Sequence, residues 1–203
     1  MNRIITFAAT IMVLVLVAGV TGCTMHIAMN PTSSVEFANK NLPCKIILFM
    51  DNEFQNYHWQ GFSDAELRGL DYDLGSASRN LFLDALKRVS DGVILVESSP
   101  IYPLNDIVLV VHPRISRFSE KHSMLIRNAN YYAEITYSVT VYDKTGKIIL
   151  EKDYLAKGVE FGSIDVYRNY ATPAEKAMAQ AIENIIDDIS KLGASQNLEN
   201  KAR

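Results

Sequence analysis

The sequence predicts an α+β domain, built as one mostly antiparallel sheet of about four to five strands with two helices packed on one face. Three observations carry that expectation. Between Tyr132 and Tyr142 apolar and polar residues alternate strictly, with Ala133, Ile135, Tyr137, Val139 and Val141 on one side, the mark of a half-buried strand. Two stretches, 76–90 and 172–192, repeat apolar residues at helical spacing. Several short apolar runs between breakers read as further strands.

Taken in order, the first strand spans Lys45 to Met50, after Pro43. Residues 51–75 read as a long irregular stretch carrying Phe54, Tyr57, His58, Trp59 and Phe62, and loops of that length tend to be functional. Ser76 is suited to cap a helix running to about Ser90, with Phe82, Ala85, Leu86 and Val89 along one face and Gly92 ending it. Val93 to Val96 is a short strand, and Pro100 to Pro103 breaks the chain. Ile107 to Val111 is continuously apolar, as in a central strand covered on both sides, while Pro113 marks a bulge, an edge or a strand end. Asp143-Lys144-Thr145-Gly146 turns the long strand back, with Gly146 at the position needing positive φ, and the return strand covers Lys147 to Lys157. The tyrosines at 131, 132, 137, 142 and 154 fall in or beside this hairpin and suit cross-strand packing. Thr172-Pro173-Ala174-Glu175 then reads as a capping box opening the last helix, and Gly193 as its stop.

The N-terminus has a different character. Arg3 precedes an uncharged apolar run from Ile4 to Val20, which ends in Val20-Thr21-Gly22-Cys23. This order is that of a secretory signal, and the run is followed too closely by small residues for a stable spanning helix. Its last four residues resemble the bacterial lipobox, which implies that Cys23 is acylated and becomes the first mature residue. The expected divisions are therefore a signal peptide over 1–22, a lipidated N-terminus and tether over 23–43, one domain over 44–193, and a polar tail over 194–203. Several acyl chains on one residue, each buried CH₂ adding about 0.8 kcal/mol, anchor durably where one chain does not. A flexible tether of this length reaches only about 25 Å, so the domain stays near its membrane. In a Gram-negative cell lipoprotein sorting depends on the residue after the cysteine, so with Thr24 in place of aspartate the resemblance implies the outer membrane.

Charge and residue types narrow the function. The net charge of −3 becomes −4 once Arg3 leaves with the signal, an acidity unlike the basic face that nucleic acid requires. The only other cysteine, Cys44, has no intramolecular partner and reads as packed beside a strand rather than reactive. His26, His58, His112 and His122 show no zinc-motif spacing, and neither a nucleophile elbow nor a phosphate loop occurs, so no cofactor, metal site or enzymatic activity is expected. Two candidate surfaces remain. The aromatic segment Phe54, Tyr57, Trp59 and Phe62 suits a protein partner or simply covers a sheet edge. The basic stretch Arg114, Arg117, Lys121, His122 and Arg127 suits anionic lipid headgroups, lipopolysaccharide phosphates or an acidic protein, or is a solvated hairpin connection.

The lipobox at Cys23, the helix at 76–90, Asp106-Ile107-Val108-Leu109-Val110-Val111, the run Ala133 to Asp143 closed by Gly146, and an alanine-rich C-terminal helix occur in an order that resembles the small periplasmic lipoproteins of the YajG and LpoB kind. These are related in architecture to the N-terminal domain of TolB. The resemblance implies a non-enzymatic accessory subunit of an envelope protein complex. Residues 24–42 are too short to cross the cell wall, so that role would lie beside the outer membrane, with another envelope protein as partner and the oligomeric state open. The competing expectation is a lipid- or glycan-binding module with a cleft between sheet and helices. Cys23→Ser is expected to move the protein from the detergent phase to the aqueous phase in Triton X-114 partition and to remove the acyl mass from its N-terminal peptide.

Overall fold

The computed structural model describes residues 24–32, 42–63, 68–104, 107–125, 128–163 and 170–201. Its elements are β1 (Thr24–Ile27), β2 (Leu42–Phe49), α1 (Asn52–Gln55), β3 (His58–Ser63), β4 (Arg68–Asp73), α2 (Leu74–Val89), β5 (Ser90–Val96), β6 (Ile107–Leu125), β7 (Asn128–Asp143), β8 (Ile148–Ser163) and α3 (Ala171–Lys201). The class is α+β, but the expected single antiparallel sheet is replaced by two sheets. The larger has the order β5-β2-β6-β7-β8, and the smaller the order β1-β4-β3.

The larger sheet is mixed. β2 lies parallel to both β5 and β6, whereas β6, β7 and β8 form an antiparallel meander. Parallel pairing demands cover on both faces, and β2 supplies apolar residues to both. Ile46 and Leu48 belong to the main core, while Ile47, which alternates to the other side, is also buried. β6 is the central strand, as its apolar start predicts. Its pairing with β2 ends at Val111, so Pro113 meets a described strand only on the β7 side, opposite Val139. That is the edge condition under which a strand tolerates proline.

A bulge between Ile115 and Arg117 inserts Ser116 into β6 and reverses which side chains face the core. Before it Leu109 and Val111 point inward; after it Phe118 does, leaving Arg114 and Arg117 both exposed. The Ser116 hydroxyl donates to the Thr136 carbonyl at 3.1 Å.

α2 starts two residues before the expected cap. The Asp73 carboxylate accepts from the Ser76 amide at 3.0 Å, so aspartate caps the helix and Ser76 lies inside it. Ser90 and Gly92 already belong to β5, so the helix ends before Gly92 acts as a stop. α2 buries Leu81, Phe82, Ala85 and Leu86, and its Ser78 hydroxyl meets the Tyr137 hydroxyl at 2.6 Å in the interior. α3 lays Ala174, Met178, Ala181, Ile182, Ile185 and Ile189 across β7 and β8. It begins at Ala171 and continues through Gly193 to Lys201, so the predicted stop and the described part of the polar tail belong to a helix. The capping box is displaced from where it was read, because the helix already begins at Ala171 and Thr172 lies inside it; the Glu175 carboxylate accepts from the Asn30 amide at 2.7 Å. The turn after β7 matches its expectation: Gly146 has φ +88°, and Asp143 accepts from the amides of Thr145 and Lys147.

The stretch read as irregular is the short helix α1 followed by the β3–β4 hairpin. A six-residue strand carrying His58, Gln60 and a glycine has little apolar alternation to announce it. The start of the predicted tether is likewise structured. β1 pairs parallel with β4, and Ile27 is buried against Tyr72's strand.

Gly158 of β8 lies so close to the α3 backbone that a Cβ there would collide with the Pro173 carbonyl, whereas one at Gly92 would meet open space. Gly158→Ala is therefore expected to cost about 2 kcal/mol or more in urea unfolding, and Gly92→Ala less than about 0.5 kcal/mol.

Candidate functional site

The structure disperses the predicted aromatic segment. Phe54 is buried in α1, with its ring edge-on to Phe82. Tyr57 is half-buried beside the same core. Trp59 points inward from β3 and meets Tyr72 and Phe118 at ring-centroid distances of 5.7 and 5.2 Å. This aromatic trio joins the small sheet to the distal half of β6. Phe62 alone is open to solvent, at 59 % exposure.

Of the basic stretch, Arg114, Arg117 and Lys121 lie exposed along β6. Arg127 and the side chain of His122 fall outside the described residues, as does Cys23. Arg117 and Lys121 sit near Glu134, which pairs with Lys157 at 2.6 Å. Hydrogen bonding to Lys157 holds the Glu134 carboxyl below its ordinary range, with help from the other two cations. The stretch therefore contributes to a mixed-charge face. Arg114 also borders a notch of about 150 Å³ with Asp51, Glu53, Phe54, Tyr57 and Ile115. Ligand pockets run to about 300–1,000 Å³, so this notch is too small for an acyl chain.

The outer face of the small sheet carries an arrangement not read from the sequence. The register places Thr24, Gly69 and Phe62 in one row, His26, Asp71 and Gln60 in the next, and Asp73 beside His58 in the third. The two oxygens of Asp71 meet Nδ1 of His26 and Nδ1 of His58, each at 3.1 Å. The hydrogen bond from His26, and next that from His58, hold the Asp71 carboxyl below its ordinary range. Among the described residues no group of histidine, cysteine and carboxylate side chains is placed to hold a metal ion.

A second unread surface lies on β8, the outer strand of the larger sheet, which pairs with β7 alone among the described strands. Its 16 residues carry Leu155 at 54 % and Phe161 at 73 % exposure on the side away from α3, with Tyr132 of β7 opposite Val159. Apolar residues on the outward phase of a strand were the available signal. The expected end of that strand at Lys157 hid Val159 and Phe161 from it.

No known family model and no curated protein matches the chain. The likeness is one of fold. A protein of Xanthomonas campestris from the family described as DUF330 is similar to it with a TM-score of 0.53 at 8% identity, over 87% of this chain and 99% of that one. A hypothetical protein of Chlamydia trachomatis gives 0.45 at 13% identity, over 75% of this chain and 99% of that one. A minor lipoprotein of Acinetobacter baumannii gives 0.37 at 10% identity, over 72% and 92%. The Xanthomonas structure carries the shared fold; at these identities nothing further passes between the proteins.

Two interior groups have displaced proton affinities. Cys44 is buried, and burial, followed by the negative Asp91, pushes its thiol up to about 11, the opposite of what a thiol nucleophile requires. Glu120 of β6 lies against the Tyr72 hydroxyl, and burial raises its carboxyl from 4.5 to about 7. Above its ordinary value the unfolded chain releases this proton while the folded chain keeps it, so stability falls as pH rises from about 4.5 to about 7. Glu120→Gln, which stays neutral, is expected to raise the melting temperature by about 5 °C at pH 8 and to leave it nearly unchanged at pH 4, as circular dichroism melts at the two pH values would report.

Proposed function

We propose that the chain is an outer-membrane lipoprotein, anchored through acyl chains on Cys23 and facing the periplasm, which serves as a non-enzymatic accessory or assembly subunit of an envelope protein complex. The anchor rests on the ordered signal of Arg3, the apolar run and Val20-Thr21-Gly22-Cys23. The observation that carries the partner-binding role is the β8 edge. Sixteen residues of strand leave one row of backbone groups unpaired by any described strand, beside exposed Leu155 and Phe161. Soluble proteins commonly blunt such an edge with charge; β8 does so at Glu151, Asp153 and Lys157, and its outward apolar positions Leu155, Val159 and Phe161 are the part left as a template for a partner strand.

The aromatic segment is a weaker contact surface, since Phe54 and Trp59 are engaged in the core. The Arg114 notch is too small for an acyl chain, and a larger hollow of about 430 Å³ is lined by Lys157, Glu175, Lys176, Gln180 and Glu183, a polar lining that counts against a lipid but not against a glycan. Photo-crosslinkers at Leu155 and Phe161 in intact cells are expected to capture one envelope protein, while the same group at Ile94, on the opposite edge of the sheet, captures none. Equal yields from all three positions would remove the β8 reading. A lipid or sugar mass retained in native mass spectrometry of protein from its own host would favour the module instead.

A further inference from the structure

Phe62 is an exposed aromatic side chain whose place in the fold is tied to the N-terminus. β1 begins at Thr24, the residue that follows Cys23. Thr24 is in register with Gly69, and Gly69 with Phe62. Phe62 therefore stands two strand spacings, about 10 Å, from the residue adjoining the anchor cysteine. Both Thr24 and Phe62 lie on the outer face, where side chains alternate away from buried Leu70, Tyr72 and Ile27. Gly69 between them adds no side chain, and a Cβ there would approach Thr24 Oγ1 to 3.1 Å. The Thr24–Gly69–Phe62 row is thus low, apolar at Phe62 and free of charge, while the Ser63–Arg68 pair, one residue nearer the cysteine, adds a cation of the kind that anionic headgroups attract.

On the outer face, polarity rises along the strands in the direction away from the cysteine. His26, Asp71 and Gln60 lie two residues further along the strands, about 7 Å away, and His58 with Asp73 lies beyond them. This is the gradient of a surface seated in a membrane interface, where apolar groups enter about 5–10 Å and polar ones stay among the headgroups. No flexible segment intervenes to let the domain swing away, because β1 is paired to β4 from Thr24 onward and Ile27 is buried.

We infer that the Thr24–Gly69–Phe62 end of the small sheet is a lipid-contacting surface, with Phe62 inserted at the headgroup–acyl boundary beside the Cys23 anchor. This rests on the lipoprotein reading above and adds an orientation to it. The sheet end lies on the bilayer, and the proximal end of the larger sheet, at Ile148, is held away. Ile148 pairs with Tyr142 near the start of β6, and the aromatic trio meets β6 at Phe118. The nine residue steps of strand from Leu109 to Phe118 span about 30 Å.

The test uses the full-length acylated protein in vesicles of phosphatidylethanolamine and phosphatidylglycerol doped with doxyl-labelled phospholipid. Phe62→Cys and Ile148→Cys are each labelled with the environment-sensitive fluorophore NBD at pH 7. Buried Cys44, its thiol pushed up to about 11, is checked for background in the unsubstituted protein. The expected result is blue-shifted emission at position 62 and at least threefold greater quenching there than at position 148. Equal quenching at the two positions overturns the orientation. Gln60→Cys, one row further along the same strand, serves as the second reporter: quenching above the position-148 level supports the inference, and quenching at that level overturns it. Intact mass of the same preparations separates the two failures. An acylated protein without differential quenching overturns the orientation alone, whereas an unacylated Cys23 overturns the anchor and the orientation together.

Discussion

The distal half of the molecule depends on one extra residue in one strand. Ser116 shifts the alternation of β6 by a single step, and a one-residue shift exchanges the two faces of a strand. Without it the inward position would fall to Arg117, and Phe118 would point to solvent. Phe118 is the side chain on which Trp59 and Tyr72 converge, and Tyr72 reaches both the Tyr170 carbonyl and the Glu120 carboxyl. The bulge thus fixes the seat of the small sheet, the burial of Glu120 and the exposure of Arg114 and Arg117 together. β6 serves two neighbourhoods in succession: it pairs with β2 up to Val111 and packs beneath the small sheet beyond the bulge.

The parts of the fold legible in sequence were those whose pattern is set by burial of one face over many residues. The β7 alternation, the turn at Gly146 and the stripes of α2 and α3 all answer to a sheet or helix with one wet side. Strand direction was not legible, because a short apolar run such as Ile46–Ile47–Leu48 reads alike in parallel and antiparallel pairing. The buried Ile47 is the residue that separates the cases, since only a strand covered on both faces hides it. The small sheet was illegible for a different reason. Its three strands supply few inward residues, and those that matter, Ile27, Trp59 and Tyr72, are brought together from positions spread over 46 residues of chain.

The same limits governed the surfaces. Trp59 and Phe62 share one strand and one composition, yet opposite phases of the pleat make one a core residue and the other an exposed one. The Asp71 bridge between His26 and His58 joins three strands and could not be found by spacing within any one of them. The β8 face required the true end of the strand at Ser163, which polar Lys157 and Gly158 conceal. Gly158 itself is set by its neighbour: α3 approaches β8 there closely enough to leave no room for a side chain.

The pairing of β1 has a mechanical side. A pull on the N-terminus directed along the strand would load the contacts of Thr24, Met25, His26 and Ile27 with β4 in shear, all at once, rather than peel them in turn. Behind them the Asn30 amide is held by Glu175 of α3, a second and separate attachment to a different element. Tension entering at this point would spread into both the small sheet and the longest helix, and the load would be shared before the core of the larger sheet felt it.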